Sequence, residues 1–360
     1  MQQLDHDALE AIALGATVLG TGGGGDPTIG KLMAQQAVAR HGPIELIPLD
    51  SVPDDAWIIP TAMMGAPTVM VEKLPGGTEV VEAFHMIERR LGCQGYATLS
   101  IEAGGINSMI PMVVAATLRR PIVDADGMRR AFPEIQMVTP TLYGVSATPM
   151  AIADEKGNRI LFETPDNFWT ERLSRTATVQ MGCSANIALY AMQGAMAKRS
   201  LIPGGLSLER EIGCSLREAF RNKRHPIEAL TRTAGAVCLA TGKITNLRRR
   251  TERGFARGEM DIAGTQQDSG ARFRIAFQNE NLVFWRNGKA EVTVPDLITV
   301  VDEQTATPIT TEMLKYGLRV NVIGIPCHEK WRTPEAIRLV GPRYFGYDVD
   351  YVPLQPTTIH

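Results

Sequence analysis

The sequence predicts an α/β protein of two domains: an N-terminal alternating α/β domain with a partly parallel sheet (1–164), then a mixed helical and β-rich C-terminal domain (165–360). Three observations predict it. From residue 43 to about 126, short apolar runs alternate with segments of helical period. Within that stretch, "AGGINSMIPMVVAATLRRPIVDADG" compresses turn, helix and strand into one βαβ unit, whose right-handed crossover makes its strands parallel. After residue 236, "FRIAFQNENLVFWRNG", "VTVPDLITVVDE" and "LRVNVIGIPC" are strands, with "NEN" and "RNGK" as turn signals. A chain of 360 residues that is 44% hydrophobic has enough apolar material for two cores.

Asp5 precedes a helix whose Leu9, Ile12, Ala13, Ala16 and Leu19 form one stripe, and Gly20 stops it. Asp26 and Pro27 stand as N-cap and first residue of a second helix, ended by "HGP". Between the two lies "GTGGGGDP". Consecutive glycines belong where backbone takes unusual dihedrals or is approached closely. At a helix N-terminus, the amides of Gly22, Gly23, Gly24 and Gly25, with Asp26, form an anion-attracting corner, and these five residues are candidates for substrate binding. A tight helix-to-helix turn that binds nothing is the alternative. Gly25, Gly30 and Lys31 match Walker A spacing, but Leu32 replaces the hydroxyl residue that reaches magnesium, and a helix precedes the loop. The Rossmann fingerprint fails on the same preceding helix.

Strands follow at 43–49 and 56–65, a helix at 78–92, a buried strand at 95–102, a helix from about 107 to 118, and the strand "PIVDADG". Parallel strands bring Glu102, Asp124 and Asp126 to one sheet edge, where open α/β sheets bind ligands. These three are candidate catalytic acids or bases; a solvated strand end and an Asp-Gly turn are the competing readings. Asn107, opening the next helix, either caps it or faces a substrate. Glu72 and Lys73 form a charged pair at the end of an apolar segment, with Lys73 a candidate substrate contact and a surface role the alternative.

The hairpin signal "MAIADEKGNRILFE" closes the first domain, and "TPDNFWTERLSRTATV" starts a helical connection. "MGCSANIALYAMQGAMAKRS" is predicted as a small-residue helix with Cys183 near its start, where a lowered thiol pKa would make it a nucleophile; simple packing is the alternative. Cys327 and His328 are adjacent on an extended segment and face opposite ways, which argues against a dyad between them. His328 begins a charged loop, as a catalytic candidate or a surface histidine.

Thirty-seven basic against 39 acidic residues, a net charge of −2 and the lack of a long basic block argue against nucleic acid. No apolar stretch reaches spanning length and the first residues are acidic and amphipathic, so no membrane partner and a cytoplasmic location are expected. Five scattered cysteines without CxxC fit reduced thiols. Six histidines without HxH or HExxH spacing give no histidine-rich metal centre. No cofactor is required by these patterns, although a divalent metal held by carboxylates stays open. The expected partner is a small-molecule substrate, with homo-oligomerisation open.

"GTGGGGDP", "MMGAPTVMVEK", "EAGGINSMIPMVVAATLRRPIVDADGMRRAFPEIQM" and "PCHEKWRTPEAIRLVGPRYFGYDVDYVP", in this order, resemble the S-methyl thiohydantoin desulfurase family, whose members are linked with hydantoin-utilisation and oxoprolinase proteins. The resemblance runs from about residue 5 to about residue 353. It implies hydrolytic removal of methanethiol from an S-methylated thiohydantoin ring to leave a hydantoin, and it supplies no catalytic residue set. Such a reaction needs a general base, stabilisation of charge on the ring and a proton for the departing thiol. Strand-end carboxylates suit the base and the glycine amides suit the ring's anionic edge. Two other classes stay open: an ATP-assisted cyclic-amide hydrolase or its partner subunit, and a non-catalytic ligand-binding protein.

Overall fold

The computed structural model describes residues 2–65, 69, 73, 76–252 and 254–355; Glu72 lies outside them. Strand β1 (Gln2–Leu4) leads into α1 (His6–Leu19), where Asp5 accepts the Ala8 amide at 2.9 Å as N-cap. The glycine loop follows, then α2 (Pro27–His41), capped by Asp26 through the Thr28 amide at 2.7 Å. Next come β2 (Ile44–Pro48), β3 (Trp57–Ile58), β4 (Thr61–Gly65), α3 (Glu79–Leu91), α4 (Ile110–Leu118) and β5 (Ile122–Asp126). Helix α4 starts three residues later than the sequence suggests, because Asn107 sits in a turn that its side chain bonds to β4.

The sheet is partly parallel, as predicted. Strand β2 pairs with β5 in parallel register, Ile47 opposite Val123. Residues 95–101 lie between β5 and β3–β4, joined by parallel bridges Thr98–Ile122, Ile58–Ala97 and Thr61–Ser100. The expected buried strand is therefore present as an irregular one. Glu102 leaves its C-terminal end.

A short helix, α5 (Thr139–Leu142), precedes the hairpin of β6 (Met150–Ala153) and β7 (Arg159–Phe162). Helix α6 (Asn167–Gln180) then returns the chain to β8 (Ser184–Ala188), which inserts antiparallel between β4 and β6. This overturns the predicted helix at "MGCSANIALYAM". Gly182 and Cys183 take positive φ (84° and 63°), ending α6. The small residues after them suit helix and strand equally, and partners on both sides select the strand. Only β9 (Met192–Gln193) and a seven-residue helix, α7 (Gly194–Ser200), follow in that stretch. Cys183 thus does not stand at a helix N-terminus.

After β10 (Ile202–Pro203), helices α8 (Gly205–Arg221) and α9 (Pro226–Ala234) cover the N-terminal layer. The C-terminal sheet contains β11 (Val237–Glu252), β12 (Phe255–Gly264), β13 (Arg272–Gln278), β14 (Glu280–Arg286), β15 (Lys289–Thr293), β16 (Leu297–Asp302) and β17 (Arg319–Ile325). Its order is β15-β14-β13-β12-β11-β17-β16, antiparallel throughout. Helix α10 (Pro334–Val340) packs near the end of the chain. One core cluster runs from Val18 and Leu99 through Ile187 and Leu282 to Trp331, so both halves share buried surface.

Helices α1 and α8 meet backbone to backbone. A Cβ on Gly213 would overlap the Ala11 carbonyl, and one on Gly15 would overlap that of Glu209. Such contacts forbid even alanine without moving the helices apart. Gly213→Ala should therefore cost about 2–3 kcal/mol, the usual scale of core overpacking, read as a lower urea midpoint; an unchanged midpoint would contradict this packing.

Candidate active site

The glycine loop is held between two other backbones. Thr21 and Gly22 carbonyls accept the amides of Asn281 and Thr311, both at 2.8 Å, so the C-terminal sheet clamps the loop from one side. On the other side Gly24 O accepts the Ile106 amide at 2.8 Å, and a Cβ on Gly24 would lie 2.5 Å from Gly104 Cα. Positive φ at Gly22, Gly24 and Gly25 (87°, 70° and 73°) makes glycine the fitting residue there. A Cβ on Gly23 would overlap the carboxyl of Glu280.

Beside this clamp lies a cavity with an empty volume of about 690 Å³, its open mouth included. Gly24, Gly25, Glu102 and Asn107 line it, from among the residues singled out in the sequence. Most of the rest of its wall is apolar, with Met63, Met64 and Met128 among the side chains, and Glu280, Asn279, Glu134 and Arg175 complete its polar set. A mostly apolar hollow with a few convergent polar groups is the usual form of a small-molecule site.

Glu102 is 5% exposed. Asn107 Nδ2 donates to its Oε1 at 2.6 Å, while the same amide group bonds the Met63 backbone through Oδ1 (2.7 Å) and Nδ2 (3.1 Å). Asn107 is thus a positioning residue that fixes Glu102 against β4. Burial pushes the Glu102 carboxyl up to about 7, against the opposing pull of Asn107 and the Phe132 amide. Glu280 is 2% exposed, and its Oε2 has no hydrogen-bond partner among the described residues. Burial, then the neighbouring charge of Glu102, push it well above the ordinary carboxyl range, with Arg130 and Arg175 opposing. Two buried carboxyls therefore face the cavity, both held above the ordinary carboxyl range.

Arg130 supports them from below. It is wholly buried, donating through Nη1 to Pro295 O (2.7 Å) and Asp296 O (3.1 Å) and through Nη2 to Thr21 Oγ1 (3.2 Å). Its guanidinium lies 4.3 Å from the centroid of the Phe132 ring, a cation–π contact.

The remaining sequence candidates lie outside the cavity lining. Asp124 accepts the Ser207 amide (3.0 Å) and hydroxyl (2.5 Å), capping α8, whose own N-cap, Gly204, has no side chain. Asp126 closes an Asx-type turn on the Met128 amide at 2.7 Å and the Arg129 amide. Asp26 caps α2, so its carboxylate already occupies the helix N-terminus reserved for a substrate anion, and the site is carboxyl-rich instead. Gly22 holds Thr311, and Gly23 makes room for Glu280. Lys73 Nζ donates to Met181 O (2.5 Å) and Ser184 O (2.6 Å) and pairs with Glu155 at 2.8 Å, a clamp on the α6–β8 turn. His328 Nδ1 accepts the Lys330 amide at 3.3 Å at the start of a short 3₁₀ turn. Cys183 is partly buried beside β8, and burial pushes the Cys327 thiol up to about 12. Among the described residues no three His, Cys, Asp or Glu side chains are grouped to hold a metal ion, and no helix is long and apolar enough to cross a membrane.

Models of the S-Me-THD-like N-terminal and C-terminal domains match residues 7–164 and 165–354. The chain belongs to the S-methyl thiohydantoin desulfurase-like family. That membership connects it with a desulfurase-related role. A crystal structure of a protein from Chromobacterium violaceum matches this S-Me-THD-like chain with a TM-score of 0.80 and 22% identity, over 99% of this chain and 100% of that one. At that identity the likeness concerns the fold. No curated protein matches the chain.

Sequence reasoning missed Glu280, Asn279, Glu134, Arg175 and Arg130. The "NEN" signal does mark the β13–β14 turn, but the turn is buried: Asn279 Oδ1 accepts the Ala256 amide at 2.8 Å, and Glu280 points at the glycines. Gly23 and the Glu280 carboxyl, whose Oε2 has no partner among the described residues, are one device. Gly23→Ala should displace Glu280 and abolish ligand binding while far-ultraviolet circular dichroism stays native. Gly24→Val, pressed on the Gly104 backbone, should fail to fold. Native affinity in folded Gly23→Ala would contradict the packing described.

Proposed function

We propose that this chain hydrolyses a hydantoin-like ring, removing methanethiol from an S-methyl thiohydantoin to leave a hydantoin. The observation that carries the reading is the pair of buried carboxyls, Glu102 raised to about 7 and Glu280 well above the ordinary range, on one mostly apolar cavity. Family membership supplies the ring class. Environments that push two titratable groups apart assign base and acid.

Glu102, ionised, takes a proton from water as its oxygen attacks the ring carbon bearing sulfur. The electron pair of the C=N bond moves to the ring nitrogen, which receives a proton from neutral Glu280. In the second half the new hydroxyl gives its proton to Glu280 and forms the ring carbonyl. The C–S bond then breaks, and protonated Glu102 transfers its proton to the departing methanethiolate. Both carboxyls end as they began, and water has been divided between hydantoin and methanethiol. The amides of Gly24 and Gly25, which line the cavity and among the described residues donate to no protein group, would hold the ring's edge. Polarisable methionine side chains suit the methylthio group.

The test is turnover of S-methyl thiohydantoins followed by methanethiol release. Glu102→Gln should lower the chemical step by roughly 10²- to 10⁴-fold, the usual share of a general base, and Glu280→Gln by a similar amount, whereas Cys183→Ser should stay active. For the wild type, kcat/KM should rise with pH through about 7. Near-normal turnover in both carboxyl variants would overturn the assignment.

The same carboxyl should act on stability with a defined sign. Glu102 holds its proton more tightly folded than unfolded, so its contribution is fully present below the ordinary value of 4.5 and is lost as pH rises through about 7. Glu102→Gln removes that loss. The variant should be more stable than the wild type by about 3 kcal/mol above about pH 8, with the difference vanishing below about pH 4. A variant less stable at every pH would show that the carboxyl is not raised.

A further inference from the structure

Helix α6 is inside out. Its buried residues are Thr170, Glu171, Ser174 and Thr178, while Phe168 (44% exposed), Trp169 (46%), Leu173 (45%) and Val179 (40%) face outward. A helix of a soluble domain normally turns its apolar stripe to the core, and apolar surface left open in a patch marks a place where something binds. Part of this face forms the wall of a second hollow with an empty volume of about 1150 Å³, closed by Phe255 at the tip of the β11–β12 hairpin and by Tyr344.

The second hollow adjoins the ring cavity. Arg175 and Glu134 line both. Neither is idle at the junction. Arg175 Nε donates to Glu171 at 2.6 Å and Nη2 to Pro133 O at 2.9 Å, and its guanidinium lies 4.4 Å from the Phe255 ring centroid. Glu134 accepts the Tyr344 hydroxyl at 2.7 Å. Their charges are thus largely engaged by protein; beyond them Phe168, Val179, Phe255 and Tyr344 form an apolar stretch of a wall that also includes Gln136, Arg172, Thr176 and Gln180.

Resting on the ring-hydrolysis reading above, the geometry points to a subsite for the substituent of the ring: the substrates are S-methyl thiohydantoins whose ring carbon carries a bulky apolar or aromatic side chain. The ring sits at Glu102 and Glu280, and the side chain passes Arg175 to lie against Phe168, Val179 and Phe255. A ring with hydrogen or methyl there fills only the first cavity. The substituent's burial discriminates through apolar contact.

The experiment compares kcat/KM for S-methyl thiohydantoins carrying hydrogen, methyl or benzyl on the ring carbon, in the wild-type protein, Phe168→Ser and Val179→Asp. Both substitutions are at exposed positions away from the carboxyls. The benzyl compound should exceed the methyl one by about tenfold or more, and each variant should remove most of that preference while methyl turnover stays within about twofold. Equal rates for the three compounds, or a benzyl preference that neither variant reduces, would overturn the subsite and leave the ring chemistry standing. A change of oligomeric state in the variants without a change in preference would also overturn it, assigning this face to a second copy of the chain. Absence of turnover with all three compounds would instead overturn the ring-hydrolysis reading and the subsite with it.

Discussion

Everything at the site depends on the glycine loop being held by direct backbone hydrogen bonds between two other parts of the chain. The loop of residues 20–25 lies against Gly104 on one side and under Glu280 on the other, with separations that leave no space for a Cβ at Gly23 or Gly24. This contact joins the C-terminal end of the irregular strand 95–101 to the turn of a hairpin far along the chain. Without it Glu102 and Glu280 would belong to separate surfaces. With it they share one cavity, and the clamp is held by the Asn281, Thr311 and Ile106 amides.

The electrostatic consequence follows from that packing. A carboxyl buried among methionines and aliphatic side chains loses hydration, and a second carboxyl beside it makes a further charge more costly. Arg130, fully buried and tied to backbone carbonyls, offsets part of that cost without neutralising either group, and burial draws its own pKa down to about 10. The unpartnered Oε2 of Glu280 is what such a cavity retains when a ligand is meant to complete it. A heterocycle with adjoining N–H and carbonyl groups is complementary to a neutral carboxyl next to an ionised one.

Much of the fold was legible in the sequence because local chemistry decided it. Asp5 and Asp26 cap the helices their positions suggest, and the crossover ending at Asp126 gives the parallel Thr98–Ile122 bridge expected of it. The site was legible in part. Glu102 stood out as a charged residue ending an apolar strand, and Asn107 as its neighbour. Asp124 and Asp126 carried the same sequence signal, yet both Asp124 oxygens are used by Ser207 and Asp126 Oδ1 by a turn, which only tertiary packing reveals. The glycines suggested an anion corner because their amides precede a helix; Asp26 caps that helix, Gly22 and Gly23 serve close approach, and Gly24 and Gly25 line the cavity. Glu280 resembled an exposed turn residue, since nothing local distinguishes a buried hairpin turn from a solvated one. The strand at Ser184–Ala188 was hidden by small residues whose state is set by β4 and β6.

The central claim is that two buried carboxyls on one cavity, Glu102 and Glu280, both keep their protons above the ordinary carboxyl range. Difference infrared spectroscopy reads this directly, by subtracting the spectra of Glu102→Gln and Glu280→Gln from that of the wild type across a pH titration. The account predicts a protonated-carboxyl band from Glu102 that disappears through about pH 7, and one from Glu280 that also outlasts the range where ordinary carboxyls ionise. Loss of both bands below about pH 5, where ordinary carboxyls ionise, would contradict it.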